Sequence, residues 1–275
     1  MREPAITIAI GFKGVGKTYT TRQEVEGYIK NNPETGFKAR PVLVFDVNGE
    51  YEDFRAIDFD ITEPNEYIRA TEIRKITAPG KYRIVKYKKD RSLMNMSEMY
   101  STVVTISKYY RNGLLILEDI NTWLLSNVKI DIVALLIGVR HLGTDIIIHY
   151  QSLRFIPPRM WANINYIRWH KQSDDIEKYK ERLDNIELFK IAERISETMY
   201  LEDPYYYFYL DKMGNKLRKV KELVFEKACL EYLAITPGAL RDRQRLLKIN
   251  PENDENGKKT SAVKKFIEDK KKQYL

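Results

Sequence analysis

Apolar positions along the chain fall in short unbroken runs separated by longer stretches of mixed character. Ala5–Ile10, Pro41–Asp46, Gly113–Leu117 and Thr144–Tyr150 are nearly continuous apolar runs, which predict strands buried on both faces. Tyr82–Tyr87 and Tyr166–His170 add two more candidate strands. Between them, Thr18–Ile29, Ser97–Tyr110 and Asp131–Leu142 have helical spacing, the first ending before Asn31-Asn32-Pro33. Strands alternating with helices predict an α/β fold, with a mainly parallel sheet covered by helices.

Past Ser173 the pattern changes. Asp174–Asn185 is highly charged with helical spacing. Tyr205–Leu210, a polar turn from Asp211 to Asn215 and Lys216–Val220 predict a β-hairpin, and Lys221–Leu233 a further helix. Asn250–Lys259 reads as a linker, and Thr260–Leu275 as a short basic helix or a disordered tail. The expected organisation is a core over 1–172, a small helical and hairpin appendage over 173–249 and a basic linker and tail over 250–275. No internal repeat with a period of ~20–50 residues is visible.

Composition narrows the class. Of 275 residues, 43% are apolar and 31% charged, enough for a folded core and incompatible with wholesale disorder. No apolar run reaches the ~18–20 residues of a membrane span, so no membrane partner is expected. The six apolar residues before Gly11 are too few for a signal sequence. One cysteine, Cys229, excludes an internal disulfide, and His141, His149 and His170 lack paired metal spacing, so they are expected as core or surface residues. The expectation is a soluble protein of a reducing cytoplasm, the host's if the chain is viral. The net charge is +8, of which Ala239–Leu275 carries +5. That excess suits a polyanionic partner or a solvated tail.

The sharpest chemical signal is Gly11-Phe12-Lys13-Gly14-Val15-Gly16-Lys17-Thr18, a match to G-x-x-x-x-G-K-[ST] between an apolar strand and a helix. Gly11, Gly14 and Gly16 let the loop wrap, so that backbone N–H groups, including that of Val15, face phosphates. Lys17 reaches the β- and γ-phosphates, and the Thr18 hydroxyl binds Mg²⁺. The following helix adds its positive N-terminal end. Lys13 is either a solvated side chain at a variable position or an extra cation near the γ-phosphate.

About a hundred residues later, Leu114–Leu117 runs into Glu118-Asp119. An apolar strand ending in two carboxylates fits the acidic strand of a P-loop ATPase. The first would hold Mg²⁺ and the second would polarise the attacking water. The usual order is Asp then Glu. The reversal here leaves the division of labour open. Gln151 ends the next apolar strand, where its amide would orient water or sense the γ-phosphate.

Asp46-Val47-Asn48-Gly49-Glu50-Tyr51 follows the second strand. Arg140-His141-Leu142-Gly143, Gln151, Ile156-Pro157-Pro158 and Asn163–Arg168 follow in order. Over roughly residues 5–172 this series resembles the FtsK–HerA clade of P-loop (ASCE/RecA-like) ATPases, and virus-encoded genome-packaging ATPases, including those of bacteriophages, in particular. The resemblance implies ATP and Mg²⁺ as ligands, double-stranded DNA bound without sequence preference, and a homo-oligomeric ring. It also implies a capsid portal or vertex protein as a docking partner, and Arg140 as the cation that reaches a neighbouring subunit's nucleotide. Arg154 and Arg168 are further candidates for that role. Basic residues of Lys86–Arg91 and of the tail from Lys258 are expected to track phosphates.

Other classes fit less well. The chain lacks Asn-Lys-x-Asp for guanine recognition and Leu-Ser-Gly-Gly-Gln of transport ATPases. The stretch after Ser173 shows no carboxylate cluster on apolar strands, so no nuclease is expected. A cellular or plasmid DNA-transfer ATPase and a nucleotide-dependent switch without translocation stay open.

Overall fold

The computed structural model describes residues 3–120, 130–236 and 261–275, with 238, 240–241 and 244–245. The chain divides into two compact units, Met1–Tyr166 and Ile167–Leu275. The first ends six residues short of the sequence boundary at 172.

The first unit is built on six strands: β1 (Ile6–Ile10), β2 (Pro41–Asp46), β3 (Arg55–Ala56), β4 (Gly80–Val85), β5 (Leu114–Leu117) and β6 (Asp145–Tyr150). Their order is β3-β4-β2-β5-β6-β1, and every neighbouring pair is parallel. Continuous apolar sequence is what such strands need, and β2, β5 and β6 are buried at every position. Helices α1 (Lys17–Tyr28), α2 (Glu66–Arg69), α3 (Thr71–Arg74), α4 (Met96–Tyr109) and α5 (Ile130–Gly138) connect them, and α6 (Pro158–Trp161) follows β6. One face packs Val42, Val44, Leu114 and Ile116 with Val25 of α1 and with Tyr51 and Phe54. Asn95 caps α4 by accepting from Glu98 N, while the Glu98 carboxylate accepts from Asn95 N.

Two elements differ from the sequence pattern. β4 lies two residues earlier, because Gly80 pairs with Pro41 at the start of β2 and the chain turns away after Val85. The helix expected over Asp131–Leu142 tightens into a 3₁₀ turn at Val139–Leu142, stopped by left-handed Gly143, whose N–H donates to Arg140 O.

In the second unit, β7 (Tyr166–Trp169), β8 (Phe208–Asp211) and β9 (Lys216–Arg218) lie side by side, and β8 and β9 form the expected antiparallel hairpin. The charged stretch after Asp174 forms only a 3₁₀ turn, Ile176–Arg182. The long helix here is α7 (Ile186–Tyr200), which the sequence reading omitted. It is capped by Asn185, which accepts from Leu188 N, and buries Leu188, Ile191, Ala192 and Ile195 at helical spacing. α8 (Glu222–Ile235) follows as expected.

The tail is the helix α9 (Ala262–Tyr274), packed within this unit rather than disordered. It buries Phe266, Lys270 and Tyr274 along one face. Phe266 stacks on Tyr232 with ring centroids 6.0 Å apart. Lys270 pairs with Glu187, and Lys271 pairs with Glu222 and Glu226. The linker expected at Asn250–Lys259 lies outside the described residues. Among the described residues, no helix is long and apolar enough to cross a membrane.

Candidate nucleotide site

Because the six strands are parallel, their C-terminal ends share one edge of the sheet. Gly11, Asp46, Glu118 and Gln151 each follow or end a strand there, and Gly11 N donates to Tyr150 O across the β1–β6 boundary. Helix α1 starts at Lys17 behind Gly16, a left-handed residue (φ 82°) that offers no side-chain cap. The first N–H groups of α1 therefore face the loop, the arrangement that receives an anion. Gly14 is also left-handed (φ 88°), with open space where a Cβ would stand. The Lys17 ammonium donates to Gly11 O (2.6 Å) and Phe12 O (2.9 Å), which hold it inside the loop.

Below the loop, oxygens converge on Thr18. Its Oγ1 lies 2.6 Å from Glu50 Oε2 and 3.0 Å from Glu118 Oε1. The Tyr51 hydroxyl donates to the same Glu118 oxygen (2.9 Å), and His149 Nδ1 lies 3.4 Å from it. His149 Nε2 is 2.8 Å from Thr21 Oγ1, whose hydroxyl hydrogen goes to Lys17 O. Nε2 is therefore the donor to Thr21. Thr18 has one hydrogen, so it donates to only one of the two carboxylates at a time. Burial raises the Glu118 pKa to about 8, and the charge of Glu50 adds to the rise, against the Tyr51 and Thr18 hydrogen bonds.

Asp119, just outside β5, adopts left-handed backbone (φ 41°), and its Oδ2 accepts from Asn48 Nδ2 at 2.8 Å. Asp46 shapes the turn that delivers Asn48, Glu50 and Tyr51. Its buried carboxylate accepts from Glu50 N (2.9 Å), Tyr51 N (3.3 Å) and Arg83 NH1 (3.0 Å).

No family model and no curated protein matches the chain. Among solved structures, the genome packaging NTPase B204 from Sulfolobus turreted icosahedral virus 2, in complex with ATP-γS, superposes with a TM-score of 0.53. Identity is 16%, over 80% of this chain and 100% of that one. The AMPPCP complex of the same NTPase gives 0.51 at 16% identity, over 80% and 100% of the two chains. B204 from Sulfolobus turreted icosahedral virus, described as a DNA-packaging ATPase, gives 0.50 at 16% identity with the same coverage. The fold is that of a P-loop NTPase.

On this P-loop NTPase edge the structure gathers Gly11, Gly14, Val15, Gly16, Lys17, Thr18, Glu118, Asp119 and Gln151. Val15 is buried, whereas Lys13 and Gln151 are exposed. Arg140 lies elsewhere. It precedes β6, at the opposite edge, and its Nε donates to Pro4 O (3.0 Å). Arg168 is fully buried, whereas Arg154 follows Gln151 on the nucleotide edge, 4.4 Å above the Phe155 ring. Of the basic loop 86–91, Lys88 pairs with Glu98, and Lys89 with Asp58 and Asp60.

The sequence reading kept Glu50 as an alternative base and assigned no role to Asn48, Tyr51 or His149. Asn48 and Tyr51 lie in the same stretch, Asp46–Tyr51. His149 carries no spacing signal, because only the pairing of β6 beside β5 sets it against Glu118. The donors fit a hard cation held partly by phosphate: one hydroxyl and one or two carboxylates, Thr18, Glu118 and Glu50, on adjoining strand ends.

Proposed function

We propose that the chain is an Mg²⁺-dependent ATPase that moves double-stranded DNA during viral genome packaging. The observation that carries the ATPase reading is the meeting of Thr18 with Glu118 and Glu50 under the glycine loop. Thr18 and Glu118 would hold Mg²⁺, which when bound neutralises the β- and γ-phosphate oxygens. Lys17 and the first N–H groups of α1 bind the phosphates, and Glu118 would hold the cation as a carboxylate, its proton released to water. Asp119, fixed by Asn48, is placed to accept a proton from the attacking water, and Gln151 to orient it. DNA as the cargo draws its support from the fold shared with B204 and from the Asp46–Tyr51 stretch.

The test is hydrolysis with and without duplex DNA. Activity that requires Mg²⁺, rises with DNA and disappears in Lys17→Ala supports the reading. No hydrolysis in either chain ends it. A ring with shared sites adds a cation in trans. Mixing Lys17→Ala subunits with Arg140→Ala or Arg154→Ala subunits identifies it, because the pair that recovers activity names the arginine.

A further inference from the structure

The N-terminal ends of the strands form the edge opposite the nucleotide, and there the cations are arranged differently. Arg40 immediately precedes β2, Arg111 lies just before β5, and Arg140 lies in the turn before β6; these three strands are consecutive neighbours in the sheet. The segments that carry them are tied together. Arg40 NH1 donates to Gly143 O (3.4 Å), and Asn112 N donates to Leu142 O (3.1 Å). A Cβ on Gly143 would stand 2.3 Å from Asn112 Oδ1, so the two turns are in contact. Arg40 lies 5.8 Å from the Phe37 ring centroid, and Arg111 donates to Tyr110 O and Lys108 O at the end of α4. Each guanidinium is held by backbone and keeps further N–H groups on an accessible side.

Among the described residues, Lys38, Arg40, Arg111 and Arg140 have no carboxylate within ion-pair distance, in contrast to Lys88, Lys89, Lys270 and Lys271. The acids on these segments do not offset them. Glu3 and Glu34 are exposed, and buried Asp145 accepts from Ala5 N and the Tyr28 hydroxyl. A concavity of about 960 Å³ opens beside Lys38 and Arg40, lined also by Glu24, Asn32, Thr35 and Phe37, so one carboxylate faces it as well as the two cations. No exposed large apolar side chain falls on these segments, which disfavours a lipid surface.

We propose that this edge, through Lys38, Arg40 and Arg111, grips the sugar–phosphate backbone of duplex DNA. The proposal rests on the DNA-motor reading above and gives it a contact surface. Lys38 and Arg40 precede β2 and Arg111 precedes β5, and these neighbouring strand starts lie ~4.8 Å apart. One DNA strand carries a charge per ~3.4 Å of helix axis, so three cations grouped this closely meet neighbouring phosphates. Held guanidiniums match phosphate oxygens and read no base edges, so binding is independent of sequence.

The experiment titrates labelled duplex DNA of mixed sequence against the full chain over a range of salt, by fluorescence anisotropy. The combined Lys38→Gln, Arg40→Gln, Arg111→Gln chain is expected to bind about 100-fold more weakly at low salt. Its log–log salt slope should fall by about 2–3. DNA-independent ATP hydrolysis should stay unchanged, which also reports that the variant is folded. Arg40→Lys with Arg111→Lys should restore most of the slope and part of the affinity. If the wild type binds duplex with a steep salt slope and the triple variant matches it, this surface is wrong while the DNA-motor reading stands. If the wild type binds no duplex at any salt, both fail. If the triple variant loses DNA-independent hydrolysis and the lysine variant with it, the edge is structural and the proposal is overturned.

Discussion

Glu118→Gln should stabilise the nucleotide-free protein at high pH and leave it unchanged at low pH. The folded chain holds the Glu118 proton up to about pH 8, whereas the unfolded chain releases it near the ordinary value of 4.5. Between these values the native state binds the extra proton, so stability falls as pH rises through the window. The full difference is at most about 5 kcal/mol, and the polar surroundings of the carboxyl screen it to about 2 kcal/mol. Glutamine keeps the shape and an acceptor oxygen for Tyr51 and Thr18, and has no charge to bury. Without nucleotide and with a chelator present, the variant should melt about 4–8 °C above wild type near pH 9. Near pH 4, below the unfolded value, where the glutamate is largely neutral in both states, the two should nearly coincide. With Mg²⁺ and ATP the order reverses, because only the carboxylate gains a cation. Thermal melts across pH read all three. An equal gap at both pH values, or a variant less stable at pH 9, would show that Glu118 is not a buried, protonated carboxyl.

Lys17→Ala should lower turnover at least about 100-fold while the fold persists, as measured by ATPase assay beside circular dichroism. Asp119→Asn should retain ATP binding and lose hydrolysis. Asn48→Ala, which removes one hydrogen bond to the Asp119 carboxylate, should lower kcat about 10-fold with little change in KM; unchanged kcat would remove Asn48 from the site. Phe266→Ala should destabilise the second unit by about 3–5 kcal/mol, detected by proteolysis of α9, because a core ring is lost. Resistance equal to wild type would mean that the helix is held by its ion pairs.

The buried strands and the phosphate loop were legible because each is a local signal: unbroken apolar runs, and glycines at fixed offsets. The stretch Asp46–Tyr51 was visible as a motif, but its workings were not. That Asp46 braces the turn while Glu50 and Tyr51 reach Thr18 and Glu118 depends on β2 lying beside β5, which no local pattern reveals. His149 was hidden for the same reason. The pattern does not set α7 apart, because the dense charges of 174–185 run into it without a break. The tail's charge suggested solvation; Glu187, Glu222 and Glu226, distant in sequence, neutralise part of it.

β5 has a mechanical consequence. It is four residues long, buried at every position and clamped between β2 and β6. An extended strand in a close-packed interior cannot lengthen, and its length is only ~13 Å. At its far end Gly113 is wedged so tightly that a methyl there would stand 2.7 Å from Pro41 O. A displacement of Glu118 is therefore delivered as movement of the turn at Arg111–Gly113, with little absorbed on the way. The strand is a short, stiff link between the nucleotide edge and the opposite edge of the sheet.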